Sequence, residues 1–330
     1  MPVKLSVLDL APIAPGESPA DALAHTVRMA RAADEAGYAR VWYAEHHNMP
    51  TIASSATSVL IAHVAAHTER IRVGAGGIML PNHSPLTIAE QFGTLGALHP
   101  GRIDLGLGRA PGGDRAVLAA LRRSPTDSDR FPADVVELRD YLAGASRVPG
   151  VQSVPAASSA DAVPLYILGS SLFGAQLAAA LGLPYAFASH FAPAALHEAV
   201  RVYRDTFQPS DALSEPYVIA GVSVYADGDA DAAAAQFATS RRRRVRGMIQ
   251  RGPEARDYSD DEIDAFLLSP AGQQIAQMAT YTAVGTPEEV REYLEAFALE
   301  ARADELITVH GALDADDREQ SLRLTAATAA

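Results

Sequence analysis

Cysteine is absent from this sequence of 330 residues. Its absence excludes a disulfide framework, a thiolate metal site and a cysteine nucleophile. Long apolar runs are absent too, since no stretch is long enough to span a bilayer and the N-terminal segment lacks the apolar core of a signal peptide. We therefore expect a soluble, cytoplasmic protein.

Basic residues are scarce relative to acidic ones, with 27 Lys and Arg against 40 Asp and Glu, and the formal net charge is −13. Nucleic acids and anionic membranes bind proteins through basic faces, so this charge argues against both as partners. Four consecutive arginines at 241–244 are the exception. They are most simply a solvated helix face or loop, and an anion site is the alternative.

Strand-like and helix-like patterns alternate along a chain that is 48% hydrophobic and able to bury a large core. The eight strand-like runs are 3–10, 40–44, 71–76, 102–107, 165–168, 185–188, 217–225 and 305–309. Eight strands, each followed by a helix, are the number that closes a parallel (β/α)8 TIM barrel. An open doubly wound sheet is the rival, but the first strand is not followed by the G-x-G-x-x-G turn of that fold. The sequence therefore predicts the barrel.

Two long excursions interrupt the alternation, at about 110–163 after the fourth strand and 252–270 after the seventh. Loops of this length within a compact domain tend to carry function. We predict a single domain over 1–330, in which the two excursions form the substrate mouth and lid.

Candidate site residues follow the predicted strands, because the active site of such a barrel lies at the C-terminal ends of its strands. In chain order they are Glu45, His46 and His47, then Gly76, Gly77 and His83, then Gly108 and Arg109, then Gly169, Ser170 and Ser171, then His190 and Phe191, and finally His310.

The histidines are candidates for proton transfer, since a neutral imidazole can accept or donate a proton at cellular pH. His46 and His47 point in opposite directions if the chain is extended there, so only one should face the pocket, and spacing alone does not choose between them. We expect His83, His190, Phe191 and His310 to line the substrate pocket. A metal is not predicted, because there is no His-x-His pair on one strand face and no carboxylate placed at another strand end.

Glycines and serines at the other strand ends suit a flat, phosphorylated ligand. Gly76, Gly77 and Gly108 expose backbone to close approach, although any one of them could simply allow a turn. Gly169, Ser170 and Ser171 lead into a predicted helix, whose N-terminus could bind a phosphate or be capped by serine without a ligand. Arg109 would supply the opposite charge.

Five segments in chain order resemble the luciferase-like flavin-dependent monooxygenases, and the resemblance extends over nearly the whole chain. They are GYARVWYAEHHN at 37–48, RVGAGGIMLPNHSP at 72–85, HPGRIDLGLGRAPGG at 99–113, LYILGSS with GLPYAFASHF within 165–191, and VGTPEEV at 284–290. The resemblance is nearest to the alkanal-monooxygenase-like branch. It implies reduced FMN from a separate flavin reductase, O2 that adds to the flavin as a hydroperoxide, and a small organic substrate such as an aldehyde or natural-product intermediate.

Residue roles follow from the same resemblance. It implies that His46 is the catalytic histidine, that Glu45 is an acidic residue close to the flavin, and that a cis peptide joins Gly76 and Gly77 beneath the isoalloxazine ring. Arg109, Ser170 and Ser171 match phosphate-contacting positions, with Gly108 and Gly169 beside them. The light-emitting relatives carry cysteine at the position of Gly108, and relatives have an acid and a threonine at the positions of Ser170 and Gly174.

The resemblance also implies a homodimer formed through the second and third helices, within 54–66 and 89–97. Two alternatives remain at this stage, a deazaflavin-dependent oxidoreductase and a flavin-binding protein without catalysis. The presence of both Glu45 and His46 favours an enzyme.

Overall fold

Eight parallel strands close into a barrel in the computed structural model, which describes residues 3–110, 113–154, 162–250 and 256–327. The strands of the sheet are β1 (Lys4–Asp9), β2 (Arg40–Tyr43), β3 (Arg72–Met79), β4 (Ile103–Gly108), β5 (Leu165–Gly169), β6 (Tyr185–Phe187), β7 (Val218–Ala226), β8 (Thr282–Gly285) and β9 (Glu305–His310). The ring runs from β1 to β7 in order and closes through β9, which pairs with both β7 and β1. The predicted TIM barrel is confirmed.

The strand β8 was not predicted, and it lies outside the ring. β9 pairs along one edge of β7, while the three-residue strand β6 covers only the beginning of the other edge, from Val218 to Ala220. β8 pairs with the remainder of that edge, from Ser223 to Ala226. It thereby satisfies backbone groups that β6 is too short to reach.

β3 continues beyond the end that the sequence predicted at Gly76. Its register with β4 shifts between Ala75 and Ile78, after which Ile78 pairs with Leu107 and Met79 with Gly108. The two glycines therefore lie within an irregular part of the strand and not in the loop after it.

Helices follow the barrel strands, as the alternating pattern predicted. The described α-helices are α1 (Pro19–Glu35), α2 (Thr57–Ala65), α3 (Pro85–Leu98), α4 (Arg115–Ala120), α5 (Phe131–Leu142), α6 (Leu172–Leu181), α7 (Leu196–Thr206), α8 (Ala230–Ile249), α9 (Asp260–Leu267), α10 (Pro270–Ala276), α11 (Pro287–Glu300) and α12 (Ala315–Ala327). α11 begins as expected, with Thr286 as N-cap, Pro287 in the first turn and Glu289 completing a capping box. Within the described ranges, no helix combines the length and apolar character that crossing a membrane requires.

The two excursions contain more regular structure than the sequence indicated. In the first excursion α5 confirms a helix predicted at about 132–143, and α4 is additional. The second excursion, predicted to be irregular, holds α9, which Ser259 and Glu262 cap reciprocally. The parts of the two excursions at 111–112, 155–161 and 251–255 lie outside the described residues. The interpretation of 1–330 as one domain stays a prediction.

A buried ionic network occupies the N-terminal end of the barrel. Arg40 at the start of β2 donates to Asp104 through Nη1 at 2.8 Å and to Glu305 through Nε at 2.8 Å, and its Nη1 also lies 2.6 Å from the Tyr166 hydroxyl. Burial opposes the charge on Arg40, but the two carboxylates outweigh it and raise its pKa. In this fold the N-terminal end is the end associated with stability, so the network leaves the opposite end for the site.

Candidate active site

A cavity of about 780 Å³ opens at the C-terminal ends of the barrel strands. Ten of the residues singled out in the sequence line it, namely His46, Gly76, Gly108, Arg109, Gly169, Ser170, Ser171, His190, Phe191 and His310. The fold thus brings together side chains and bare backbone from six different strand ends. Glu45, Gly77 and His83 are not part of the lining.

The histidine pair after β2 divides between the cavity and its wall. His46 lines the cavity, and its Nδ1 is buried without a hydrogen-bond partner, whereas His47 turns away and places Nε2 2.9 Å from Glu45 Oε1. Burial lowers the pKa of His46, and nearby His47 lowers it further against the opposing effect of Glu45. His46 is therefore a neutral imidazole at neutral pH, and its buried Nδ1 has no hydrogen-bond partner.

Glu45 lies behind the cavity wall, where it organises the segment that follows β3. Its carboxylate accepts hydrogen bonds from the Met79 backbone N–H at 2.9 Å and from Asn82 Nδ2 at 3.0 Å, and His83 Nε2 lies 2.9 Å from Oε2. Burial alone would raise the pKa of Glu45, but His83, Asn82 and His47 outweigh it and lower the pKa below its ordinary value. His83, expected in the pocket, instead holds this carboxylate, and sequence reasoning missed Asn82 entirely.

Gly76 and Gly77 form the cavity floor and its underside, and the peptide bond between them is cis, as the resemblance implied. A Cβ on Gly76 would lie 2.9 Å from both Leu8 Cδ1 and Trp42 Cβ. A Cβ on Gly77 would lie 2.7 Å from the carbonyl oxygen of Gly106. No side chain fits at either position without displacing its neighbours. Packing behind the floor therefore requires glycine, and the floor consists of backbone.

An anion-binding arrangement lies beside this floor at the start of α6. Ser171 is the N-cap of α6 but its side chain makes no capping hydrogen bond, and both Ser170 and Ser171 are exposed towards the cavity. Arg109 lies across from the helix end with Cζ 4.0 Å from the centroid of the Phe173 ring. Free N–H groups, hydroxyls and a guanidinium together make a site suited to a phosphate.

His190 and His310 line the cavity in different ways. The ring of His190 packs against Gly221, where a Cβ would lie 2.3 Å from Nδ1, and that nitrogen has no partner. Burial, reinforced by Arg244 and His46, lowers the pKa of His190 to about 3. His310 has both ring nitrogens engaged, Nε2 3.1 Å from Thr308 Oγ1 and Nδ1 2.9 Å from Ser321 Oγ. Both ring nitrogens of His310 are therefore held in the wall, whereas Nδ1 of His190 is buried against Gly221 without a hydrogen-bond partner.

The cavity also includes arginines of α8 that were expected on a solvated face. Arg241, Arg243 and Arg244 line it. The sequence contains a signal that could have placed Arg241 and Arg244. Their helical spacing with Phe237 puts these three side chains on one face of the helix. Across the described ranges, no three or more His, Asp or Glu side chains are gathered as a metal ion would require.

A closed parallel barrel whose C-terminal end holds a glycine-floored cavity, a neutral histidine and hydroxyl groups at a helix N-terminus is typical of a barrel enzyme with a small-molecule active site. The chain belongs to the luciferase-like monooxygenase family, whose sequence model matches residues 3–305. It is a flavin-dependent monooxygenase, as the monooxygenases among its relatives also indicate.

Relatives of the chain match it along most of their length. It is 45% identical over 326 residues to a luciferase-like monooxygenase of Escherichia coli (strain K12), with 98% of this chain and 96% of that protein covered. It is 35% identical over 301 residues to the N-acetyl-S-alkylcysteine monooxygenase of Bacillus subtilis (strain 168), with 88% of each covered.

Solved structures share the fold over the whole chain. The crystal structure of apo-MsnO8 is similar with a TM-score of 0.87 and 38% identity, covering 99% of this chain and 97% of that one. The oxygenating constituent of 3,6-diketocamphane monooxygenase from Pseudomonas putida, in complex with FMN, has a TM-score of 0.74 at 16% identity, with 99% and 97% covered. A secondary alcohol dehydrogenase dependent on F420 has a TM-score of 0.67 at 16% identity, with 98% of each chain covered. These last two likenesses are of fold alone.

Proposed function

We propose that this enzyme uses reduced FMN, delivered by a separate flavin reductase, and O2 to oxidise a small organic substrate such as an aldehyde or natural-product intermediate. One observation carries the proposal: a single cavity contains the Gly76 floor, His46 with its unpartnered Nδ1, and the proposed anion site at the start of α6. Reduced flavin supplies the activation of O2 that no side chain of this cavity can provide.

The residues present fit this cofactor. The N-terminus of α6, Ser170, Ser171 and Arg109 would hold the phosphate, because they offer backbone N–H groups, hydroxyls and one positive charge at the cavity surface. The bare backbone at Gly76, with Gly108 at the end of β4, would lie against the planar ring, since a side chain at Gly76 would collide with Trp42. Ser170 replaces the acid of relatives, which removes a negative charge from the neighbourhood of a phosphate.

His46 acts in this proposal as a general acid or base at the reacting centre. It is neutral at neutral pH, so it can accept a proton from the substrate and return it. Glu45 acts through the backbone and not by contact, because its carboxylate holds the Met79 N–H and lies outside the cavity lining. It is a positioning residue for the floor.

Binding measurements with purified protein test the cofactor. FMN and the deazaflavin F420 are titrated separately into the wild type, and we expect FMN to bind more tightly. The paired variants Ser170→Ala and Ser171→Ala should weaken FMN binding while leaving the affinity for riboflavin, which has no phosphate, unchanged. Tighter binding of F420 than of FMN would support the rival reading, a deazaflavin-dependent oxidoreductase, and would overturn the choice of FMN.

A homodimer formed through α2 and α3 is the accompanying proposal. It is supported by two large apolar side chains that are exposed on these helices, Val59 at 68% and Leu98 at 64%. Light scattering after size exclusion should give twice the chain mass, and the pair of variants Val59→Asp and Leu98→Asp should reduce it to one chain. Leu299→Asp, on the exposed face of α11 at 81% exposure, is the matched control.

A further inference from the structure

The four arginines at 241–244 divide between two faces of α8. Arg242 donates to Asp264 through Nε at 2.8 Å and through Nη2 at 2.6 Å, and Arg246, one turn further on, lies 2.6 Å from Asp260. These two side chains bind the acidic helix α9. Arg241 and Arg244 lie on the other face and line the cavity.

Among the described residues no carboxylate forms a salt bridge with Arg241 or Arg244, although the charge of Arg241 also acts on Asp264. In the described part of the chain no salt bridge or side-chain hydrogen bond involves either guanidinium, and Nε of Arg241 is buried without a partner. The nearest interaction of Arg241 is with the Phe237 ring, whose centroid lies 5.5 Å from Cζ. A buried cationic donor without an acceptor is costly, and an anionic ligand would satisfy it.

The charge of the cavity contrasts with the charge of the chain. The protein carries a formal net charge of −13, yet five arginines line this cavity, namely Arg109, Arg241, Arg243, Arg244 and Arg318. Among the described lining residues the one carboxylate is that of Asp9, whose oxygens already accept from the Ala11 N–H at 2.8 Å and the Thr26 hydroxyl at 2.9 Å. The cavity therefore concentrates positive charge in an acidic protein.

Two of these five arginines donate hydrogen bonds to backbone carbonyls, and a third belongs to the proposed phosphate site. Arg243 donates to the Ile13 carbonyl at 2.8 Å, and Arg318 donates to the Leu313 carbonyl at 2.7 Å. Arg109 lies at the end of β4 beside α6. Arg241 and Arg244 remain, on a helix that follows β7 and so belongs to another sector of the barrel.

The surroundings of Arg244 connect it with the reacting centre. Burial lowers the pKa of His190, and both Arg244 and His46 lie near enough to that ring to lower it further. Met248, Ile275 and Met278 line the same cavity and present apolar surface. A ligand seated here would have a charged end at α8, an apolar body and a reacting atom near His46.

We propose that the substrate carries an anionic head group, such as a carboxylate, on an apolar body, and that Arg241 and Arg244 bind that head group. This proposal rests on the proposed function for the oxidation itself, but the anion site can be measured without flavin or turnover.

Calorimetric titration of the apoprotein with octanoate and with its neutral isostere octanamide tests the proposal. Octanoate should bind about tenfold or more tightly than octanamide, because each charge-assisted hydrogen bond adds to affinity. The double variant Arg241→Gln with Arg244→Gln should lose this preference. Arg242→Gln, in the same run but paired with Asp264, should keep it, and the double lysine variant should keep most of it.

The outcomes separate the anion site from the cofactor. Equal affinity of the wild type for the two probes, or a preference that survives in the double glutamine variant with its fold intact by circular dichroism, overturns the proposal. A second result would also overturn the proposal, namely that the double glutamine variant loses as much affinity for FMN as for octanoate. The arginines would then serve the flavin phosphate. Failure of the wild type to bind FMN, with the octanoate preference intact, overturns the proposed function and supports the anion site.

Discussion

The backbone N–H of Glu45 donates a hydrogen bond to the carbonyl oxygen of Gly77 across 3.1 Å. The side chain of the same residue accepts from the Met79 N–H at 2.9 Å, so Glu45 holds both sides of the irregular part of β3. The residue that precedes the proposed catalytic histidine thus also fixes the floor of the cavity. A displacement at either place would be transmitted to the other.

Glu45→Gln should therefore weaken flavin binding as well as stability. In the wild type the donors at this position meet a carboxylate oxygen, whereas glutamine would present an NH2 group to one of them. That donor would be left without an acceptor, at a cost of about 1 to 3 kcal/mol. Urea denaturation and FMN titration measure the two effects. Glu292→Gln, on the exposed face of α11, is the matched control, and an FMN affinity in Glu45→Gln equal to that of the wild type would contradict the positioning role.

Gly76→Ala should weaken FMN binding more than it weakens the fold. The new methyl group would lie 2.9 Å from Leu8 Cδ1 and Trp42 Cβ, so the floor must move into the cavity or Trp42 must move away from it. Trp42 is the single tryptophan of the chain, and its fluorescence reports either movement. Gly228→Ala is the control, since a Cβ there meets nothing within 4 Å. Unchanged fluorescence and FMN affinity in Gly76→Ala would be incompatible with a backbone floor.

The stability of the protein should fall with decreasing pH partly because of His310. Burial lowers the pKa of His310 to about 3, so between its ordinary value near 6.5 and that pH the unfolded chain binds a proton that the folded chain does not. The free energy of unfolding attributable to this group therefore decreases as the pH falls, by about 2 kcal/mol between pH 6.5 and 5. His310→Asn should remove that share of the slope in urea denaturations at the two pH values. Parallel slopes in wild type and His310→Asn would refute the assignment.

Arg40→Ala should destabilise the barrel without affecting the cavity. The substitution leaves Asp104 and Glu305 buried with less compensation, and loss of one partner of a buried ion pair costs about 3 to 5 kcal/mol. Arg72 and Lys4 also contact these carboxylates and should keep the loss towards the lower value. The urea midpoint measures the effect, with Arg291→Ala on α11 as a surface control. A loss of FMN affinity in the folded variant would show that the network is not confined to the stability end.

Much of the fold could be predicted because the barrel strands are largely buried apolar runs that alternate with helical segments. β8 could not, since it pairs with the part of β7 that β6 is too short to reach, and this is a tertiary contact. The extension of β3 past Gly76 depends on pairing with β4, which is a tertiary contact. α9 was missed, although Ser259 and Glu262 form a capping box that the sequence shows.

The positions of the site residues along the chain could be predicted more readily than the directions in which their side chains point. The end of β2 showed where Glu45, His46 and His47 lie, but the path of the chain after Tyr43 decides which of them faces the cavity. The same limit applied to Arg241 and Arg244. Their spacing shows that they share one face of α8, but it does not show that this face lines the cavity. Such directions depend on contacts between distant elements.

FMN dependence is tested by the reoxidation of reduced FMN by O2, followed by stopped-flow absorbance with the protein in excess. We expect the wild-type protein to change the rate at which oxidised-flavin absorbance returns, and His46→Ala to bind FMN with nearly wild-type affinity but to alter that time course. A rate with wild-type protein equal to the rate of free reduced FMN would contradict the claim that this cavity is the active site of an FMN-dependent monooxygenase.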